Sequence, residues 1–202
     1  MQVTTTRLPT ETRQAEIVAA ALRLAQTNSP AAITTNDLAR ALGLSQGALF
    51  KHFASKDAIW LAAMVWVAEH LLGSLNVAAQ QASTPLEALQ SVFDAHVDFC
   101  VTHPGVPRVI FHELHQPVDS PIKQVVRNLM QGYQQLLLRL LDEAVLCGDA
   151  AQNLDSPAAA AQFVGMVQGL VMQSMLSGQI STMRVLAPRV FDLYLRGLRH
   201  TS

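Results

Sequence analysis

The sequence predicts an all-α protein in which an N-terminal three-helix domain with a helix-turn-helix precedes a C-terminal helical domain, about nine helices in all. Three observations support this fold class. Half of the 202 residues are apolar and only 14% are charged, so the chain can bury a core. No segment alternates apolar and polar residues as a half-buried strand would. Prolines and glycines divide the chain into segments of helical length.

Prolines set most of the predicted helix boundaries. Proline suits the first turn of a helix, where its missing N–H leaves no bond unmade. Pro85 and Pro157 therefore begin helices, Pro188 is placed in the first turn of the last helix, and Gly148 ends the seventh. The predicted helices run from about Thr12 to Thr27, Thr34 to Leu42, Gln46 to Phe53, Lys56 to Ala82, Pro85 to His103, Pro104 to before Pro117, Ser120 to Cys147, from Pro157 onward, and Leu186 to Arg199.

Residues 34–53 have the pattern of a helix-turn-helix. Thr34 caps the first helix with Asp37 as its capping-box partner, Gly43 supplies a left-handed turn, and Ser45 caps the second helix. The second helix leaves small, polar and basic residues on its outer face, as a reader of the DNA major groove requires. Its inward side chains are predicted to be Leu49, Phe50 and Phe53.

The charge of the chain is uneven in a way that favours DNA contact at the N-terminus. Residues 1–56 carry a net +3 and residues 57–202 a net −4. Gln46 is suited to bind an adenine edge, and Lys56 begins a helix, where side chain and backbone N–H groups together hold a phosphate. The predicted DNA-binding residues are Thr34, Thr35, Ser45, Gln46, Gly47, Ala48, Lys51, His52 and Lys56.

The stretch from Thr34 to Trp60, which includes LGLSQGALFKHFASKDAIW, resembles the DNA-binding domain of TetR-family transcriptional regulators. The family usually has tyrosine at the position of Phe50, and its hydroxyl often contacts a phosphate, so that role is not carried over. His52 and Lys56 match the family pattern. The resemblance implies nine helices, a homodimer formed through the last two, a ligand cavity in the C-terminal domain, and release of DNA when ligand binds.

These observations divide the chain into a flexible basic arm at residues 1–11, a DNA-binding domain at 12–56 and an effector-binding and dimerisation domain at 57–202. From Ser156 to Met183 there is no charged residue, but scattered glutamines disfavour a membrane span. A helix apolar nearly all round needs cover on most sides, and a second subunit is the simplest cover. The predicted interface residues are Gly165, Gly169, Met172, Leu176, Val190 and Tyr194.

The C-terminal domain is expected to bind a small hydrophobic or aromatic effector. A ligand pocket places a few polar atoms among apolar ones, and the fifth to eighth predicted helices carry such a mixture. No cofactor is predicted. The predicted effector-binding residues are His96, Phe99, Cys100, Phe111, His115, Tyr133, Met166 and Gln168.

Two alternatives remain open. His112 and His115 share a helix face and, with Cys100 or His96, could form a metal site, which would make the protein a metal-responsive repressor. The other alternative is a helical enzyme or binding protein with a remnant helix-turn-helix. No P-loop or nucleophile–base motif is apparent, and the Asp94 and Asp98 pair fits a solvated face better than a catalytic site, so no catalytic residue is predicted.

The favoured prediction is a dimeric repressor that binds palindromic double-stranded DNA and leaves it when a small effector binds. The chain is expected to be cytoplasmic and to bind no membrane. Its two cysteines, Cys100 and Cys147, form no CxxC pair, which is typical of a reducing compartment. The N-terminal residues are polar through Gln14, so no signal peptide is predicted.

Overall fold

The computed structural model describes residues 10–199 and contains nine α-helices and no β-strand within that range, which confirms the predicted fold class. The predicted arm lies largely outside the described residues. The helices are α1 (Thr10–Leu24), α2 (Thr35–Ala41), α3 (Gln46–Phe50), α4 (Lys56–Gln80), α5 (Pro85–Thr102), α6 (Gly105–Leu114), α7 (Pro121–Leu146), α8 (Ser156–Ser177) and α9 (Thr182–Leu198).

The helix-turn-helix has the caps that the sequence predicts. The Thr34 hydroxyl accepts a hydrogen bond from the Asp37 amide at 3.1 Å, and the Asp37 carboxylate accepts one from the Thr34 amide at 2.9 Å. Gly43 has a φ of +65°, in the left-handed region that glycine adopts without steric cost. The Ser45 hydroxyl accepts from the Ala48 amide at 3.1 Å. These contacts fix where α2 begins, where the chain turns, and where α3 begins.

The predictions for α3 need two corrections. The helix ends at Phe50 instead of Phe53, and the Phe50 side chain is 44% exposed instead of turned inward. Residues four apart share a helix face, so Phe50 lies on the same face as the exposed Gln46. Leu49 and Phe53, also four apart, are the side chains of this segment that are buried.

The start of α9 also differs from the prediction. The helix begins at Thr182, so Pro188 is its seventh residue and lies inside the helix instead of in its first turn. Proline cannot donate to the carbonyl four residues earlier, which here belongs to Arg184. Pro188 and Arg184 are both exposed, and water is available to bond that carbonyl. The exposure explains why a helix can include this proline.

The chain divides into two compact units. Unit 1 consists of residues 10–67 and 105–124, so it includes α1 to α3, the first part of α4, and α6. Gly105, at the start of α6, packs against α1: a Cβ atom at this position would lie 2.1 Å from the Leu22 carbonyl oxygen. Only glycine permits so close an approach. The largest buried side chains of unit 1 are Ile17, Leu38, Leu49, Ile59 and Met64.

Unit 2 consists of residues 68–104 and 125–199 and is built around aromatic rings of α5, α7, α8 and α9. The ring of Phe93 lies 5.4 Å from that of Phe163 and 5.0 Å from that of Phe191, measured between centroids. Phe163 also meets Tyr194 edge-on at 5.7 Å. Edge-to-face packing of this kind stabilises an apolar core beyond the effect of burial.

Two helices, α4 and α8, are long and apolar enough to cross a membrane when judged by length and composition alone. Core helices of soluble proteins meet the same criterion. Eight residues of α8 are buried within unit 2, as expected for a core helix.

Candidate functional site

The exposed surface of α2 and α3 contains the residues predicted to bind DNA. The Gln46 side-chain amide donates a hydrogen bond to the Thr35 hydroxyl at 2.7 Å, which fixes the amide beside α2. Gly47 faces open space, with no atom within 4 Å of where a Cβ would lie. Lys51 is exposed at the C-terminal end of α3. Thr34, Ser45, Gln46, Gly47 and Lys51 are exposed, whereas Thr35, Ala48, His52 and Lys56 are half-buried.

The side chains of Lys56 and His52 are half-buried, although both residues are predicted to face outward. The Lys56 ammonium donates to the Ala31 carbonyl at 3.0 Å, which leaves two of its three N–H groups for a phosphate. The Nδ1 atom of His52 is buried, and among the described residues it has no hydrogen-bond partner. The backbone carbonyl of His52 accepts a hydrogen bond from the Gln14 side chain at 2.9 Å, so α1 holds the end of this segment in place.

Asp37, the acidic residue of α2, takes part in the cap of that helix. The hydrogen bonds from the Thr34 hydroxyl and amide lower the pKa of Asp37, and the nearby charges of Arg40 and Lys56 lower it further. Asp37 therefore stays ionised and bound to the cap.

The interior of unit 2 contains one polar pair in an apolar setting. The His96 Nδ1 atom lies 3.1 Å from the Tyr133 hydroxyl, and both side chains are buried. Burial lowers the pKa of His96 to about 4, so the imidazole is neutral at neutral pH. Burial also raises the pKa of the Cys100 thiol, one helical turn along α5, to about 12. The pair therefore offers uncharged hydrogen-bonding groups.

The other predicted effector-binding residues are placed differently. Phe99 is buried, and Phe111 and Met166 are half-buried. His115 is exposed at the end of α6, where its Nδ1 lies 2.6 Å from the Phe111 carbonyl oxygen. Gln168 is exposed on α8. His115 and Gln168 are therefore exposed and not in the interior, where the sequence predicted them.

Small and apolar residues are exposed on one face of α8, and further apolar residues are exposed on α9. Gly165, Gly169, Met172 and Leu176 recur at the spacing of one helix face, and Leu176 is 76% exposed. Gln168 belongs to this face. On α9 the exposed apolar residues are Val185, Leu186 and Leu193, and Val190 is half-buried.

Tyr194 does not belong to this face. It is 2% exposed, and its hydroxyl donates to the Ala159 carbonyl at 3.0 Å within the same subunit. Its place in the predicted interface is therefore wrong, because α9 turns this position toward α8 and the aromatic core.

The metal and enzyme alternatives gain no support from residues 10–199. No three side chains of His, Cys, Asp or Glu in this range are grouped to hold a metal ion. Asp94 and Asp98 are both exposed, and Asp98 binds Arg184 at 2.7 Å, which confirms the predicted solvated face.

The sequence did not predict two features at the helix-turn-helix. Phe50 was expected in the core, although its spacing of four from Gln46 was a signal for the outer face. Gln14 carried no signal, because its contact with the His52 carbonyl joins residues 38 positions apart.

The sequence was compared with known families and proteins. The sequence model for bacterial regulatory proteins of the tetR family matches residues 17–63, and that for the C-terminal region of YsiA-like proteins matches residues 68–197. The chain belongs to the TetR family. It is a DNA-binding transcriptional regulator, and the matched N-terminal region contains the helix-turn-helix described above.

Individual known proteins are similar to this chain at low sequence identity. The nucleoid occlusion factor SlmA of Idiomarina loihiensis is 28% identical over 149 residues, which cover 66% of this chain and 75% of SlmA. The fatty acid degradation regulator FadR of Bacillus halodurans superposes with a TM-score of 0.81 at 20% identity, covering 98% of this chain and all of FadR. FadR of Bacillus subtilis, solved with stearoyl-CoA, has a TM-score of 0.78 at 19% identity, covering 92% and 99%.

Proposed function

We propose that this TetR-family protein is a homodimeric repressor that occupies a palindromic operator until a small hydrophobic molecule binds its C-terminal domain. The observation that carries the proposal is the exposed surface of α2 and α3, where Gln46, Gly47 and Lys51 form a small, polar and basic face. Residues 12–56 bind DNA, residues 57–202 bind effector and partner subunit, and the protein acts in the cytoplasm.

The apolar face of α8 and α9 supports the dimer. Exposed leucine and methionine side chains lie beside two glycines on α8. Contact of this apolar surface with water is unfavourable in free energy, and a second copy of the chain would bury it. A two-fold dimer presents two DNA-binding domains to two half-sites about one helical turn of DNA apart, or a multiple of it. The proposed interface consists of Gly165, Gly169, Met172, Leu176 and Val190.

The His96–Tyr133 pair supports an effector that is mainly apolar with a polar group. Neutral hydrogen-bonding groups within an aromatic interior are the usual means by which a pocket orients such a molecule. Stearoyl-CoA, the ligand of the Bacillus subtilis FadR structure, has a long apolar chain of this kind. The proposed effector-binding residues are the unit 2 residues His96, Phe99, Cys100, Tyr133 and Met166.

The proposal is tested by selecting genomic DNA fragments with the purified full-length protein at low and physiological salt. We expect recovery of a palindrome whose binding weakens steeply as the salt concentration rises, because phosphate contacts release counterions. Stearoyl-CoA and a panel of aromatic compounds are then added to the complex. Recovery of no specific fragment at either salt contradicts the DNA-binding role, and an operator complex that no apolar compound weakens contradicts the effector.

A second candidate is a role in nucleoid occlusion, because SlmA of Idiomarina loihiensis bears that description. This candidate predicts that deleting the gene allows division septa to form over the nucleoid. A repressor instead predicts changed transcription of genes beside the recovered operators. Microscopy and transcript measurement of the same deletion strain separate the two.

A further inference from the structure

The interior of unit 2 contains no charged side chain, as far as residues 68–104 and 125–199 are concerned. These segments contain no lysine, and their acidic residues are exposed or half-buried. A charged group of a ligand that entered this interior would lose its water without gaining an opposite charge, which is costly in free energy. Every arginine of the unit is exposed, namely Arg127, Arg139, Arg184, Arg189, Arg196 and Arg199.

His96 is the buried polar group of this interior that can bind a further partner. The contact between its Nδ1 atom and the Tyr133 hydroxyl, at 3.1 Å, uses one of the two ring nitrogens. The other nitrogen, Nε2, makes no hydrogen bond within the described part of the chain. Tyr133 is fully enclosed, whereas His96 is 9% exposed. His96 is therefore the member of the pair that another molecule can reach.

The His96–Tyr133 pair offers hydrogen bonds without charge. Burial holds the pKa of His96 at about 4, so its ring is neutral at neutral pH and has one N–H and one lone pair. If the Tyr133 hydroxyl donates to Nδ1, then Nε2 carries the N–H, and if Nδ1 donates to the hydroxyl, then Nε2 carries the lone pair. The pair can therefore bond either a carbonyl oxygen or a hydroxyl group of a ligand.

We propose that the part of the effector that enters unit 2 is uncharged, an apolar skeleton whose polar group is a hydroxyl or carbonyl hydrogen-bonded to Nε2 of His96. The inference rests on the proposed effector-binding function and narrows it to one chemical class. A carboxylate of the same skeleton is rejected, because it would enter either without a cation to pair with or only after taking up a proton.

The test compares ligands that share a skeleton and differ in their end group. Decanol, dodecanol and tetradecanol are titrated into the full-length protein at neutral pH, each beside the carboxylate of the same chain length. Aryl methyl ketones are titrated beside the matching aryl carboxylates. Isothermal titration calorimetry measures these affinities without DNA. We expect at least one alcohol or ketone to bind, and to bind about 100-fold more tightly than its carboxylate, because an unpaired charge is costly to bury.

Variants of His96 test the contact with Nε2. His96→Leu should bind the alcohol or ketone about fivefold more weakly, the usual effect of losing one neutral hydrogen bond. His96→Gln keeps an uncharged donor and acceptor at this position and should retain most of the affinity. Gln134→Leu is the matched control, because Gln134 is exposed on α7 next to Tyr133 and its replacement should leave the affinity unchanged. Thermal unfolding checks that each variant folds.

The inference is overturned if any carboxylate binds as tightly as its uncharged counterpart, or if folded His96→Leu and wild-type protein bind the alcohol or ketone equally. Either result leaves the effector-binding function standing, since a ligand has bound. Failure of every compound of the panel to bind contradicts the apolar effector of the proposed function and removes this inference with it.

Discussion

His96 shows how one buried side chain links stability to pH. Its imidazole is enclosed in unit 2, and burial lowers its pKa from 6.5 to about 4. In the unfolded chain the same group has a pKa of about 6.5. Between these two values the unfolded state binds more protons than the folded state, so stability falls as the pH is lowered through this window.

The direction of this pH dependence of stability gives a measurable prediction. The part of the free energy of unfolding that His96 controls should fall by about 2 kcal/mol between pH 7 and pH 4.5. Replacing it by His96→Gln should remove that part of the pH dependence, as measured by urea denaturation at both pH values. Tyr133→Phe, which removes the hydrogen-bond partner but keeps the histidine, serves as the control and should retain the dependence. An unchanged slope in His96→Gln contradicts the assignment.

Individual residues also show which contacts a sequence can and cannot predict. Thr34, Gly43 and Ser45 were predictable because a cap or a left-handed turn depends on neighbours within three or four positions. The apolar character of Phe50 predicts burial, but its spacing of four from Gln46 places it on the exposed face of α3. The contact of Tyr194 with Ala159 joins residues 35 positions apart, and no local pattern contains it.

At the scale of the element, the packing of α6 on α1 depends on the missing side chain of Gly105. The Leu22 carbonyl oxygen occupies the space where a Cβ would project. Because that oxygen is part of the α1 backbone, it cannot move aside as a flexible side chain could. The two helices must separate if any other residue replaces this glycine.

Gly105→Ala should therefore lower the free energy of unfolding by about 2–3 kcal/mol, the usual cost of forcing extra atoms into a packed site. Gly73→Ala is the matched control, because Gly73 lies within α4 and nothing approaches its Cβ position within 4 Å. The control should raise stability by up to about 1 kcal/mol, since alanine is the better helix former. Thermal and urea unfolding of the two variants should differ in sign, and equal effects would refute the close approach.

Element boundaries were predictable where one residue decides them. Pro85, Gly148 and Pro157 stand at helix ends because of their own backbone preferences. The start of α9 lies four residues before the predicted position, because Pro188 lies inside the helix and not in its first turn. Whether a proline is tolerated inside a helix depends on solvent exposure, which the folded molecule determines.

At the scale of the whole molecule, the proposed dimer would bury the apolar surface that α8 exposes in the single subunit. Leu176→Arg should yield a monomer and weaken operator binding by about 100-fold, because the second half-site contact is then no longer intramolecular. Leu146→Arg is the matched control: Leu146 is 85% exposed at the end of α7, compared with 76% for Leu176, and lies outside the face. Light scattering after gel filtration measures the mass, and a dimeric Leu176→Arg protein would exclude this interface.

The division of the chain into units was not visible in the sequence. The charge pattern placed a boundary after residue 56, whereas the compact units run through residue 67 and then include α6 with the N-terminal helices. This arrangement brings together segments about 80 residues apart, such as Leu22 and Gly105. Periodicity and composition describe local segments and contain no information on which distant segments meet.

The membership of α6 in unit 1 has a consequence for protein engineering. The N-terminal helices are a discontinuous part of the polypeptide, since residues 105–124 complete them after the chain has passed through α5. A fragment ending at residue 67 would expose the α1 surface that Gly105 covers. A chimaera that joins this DNA-binding domain to a foreign sensor domain must therefore include α6 as well. No single continuous segment of the chain contains the whole of unit 1.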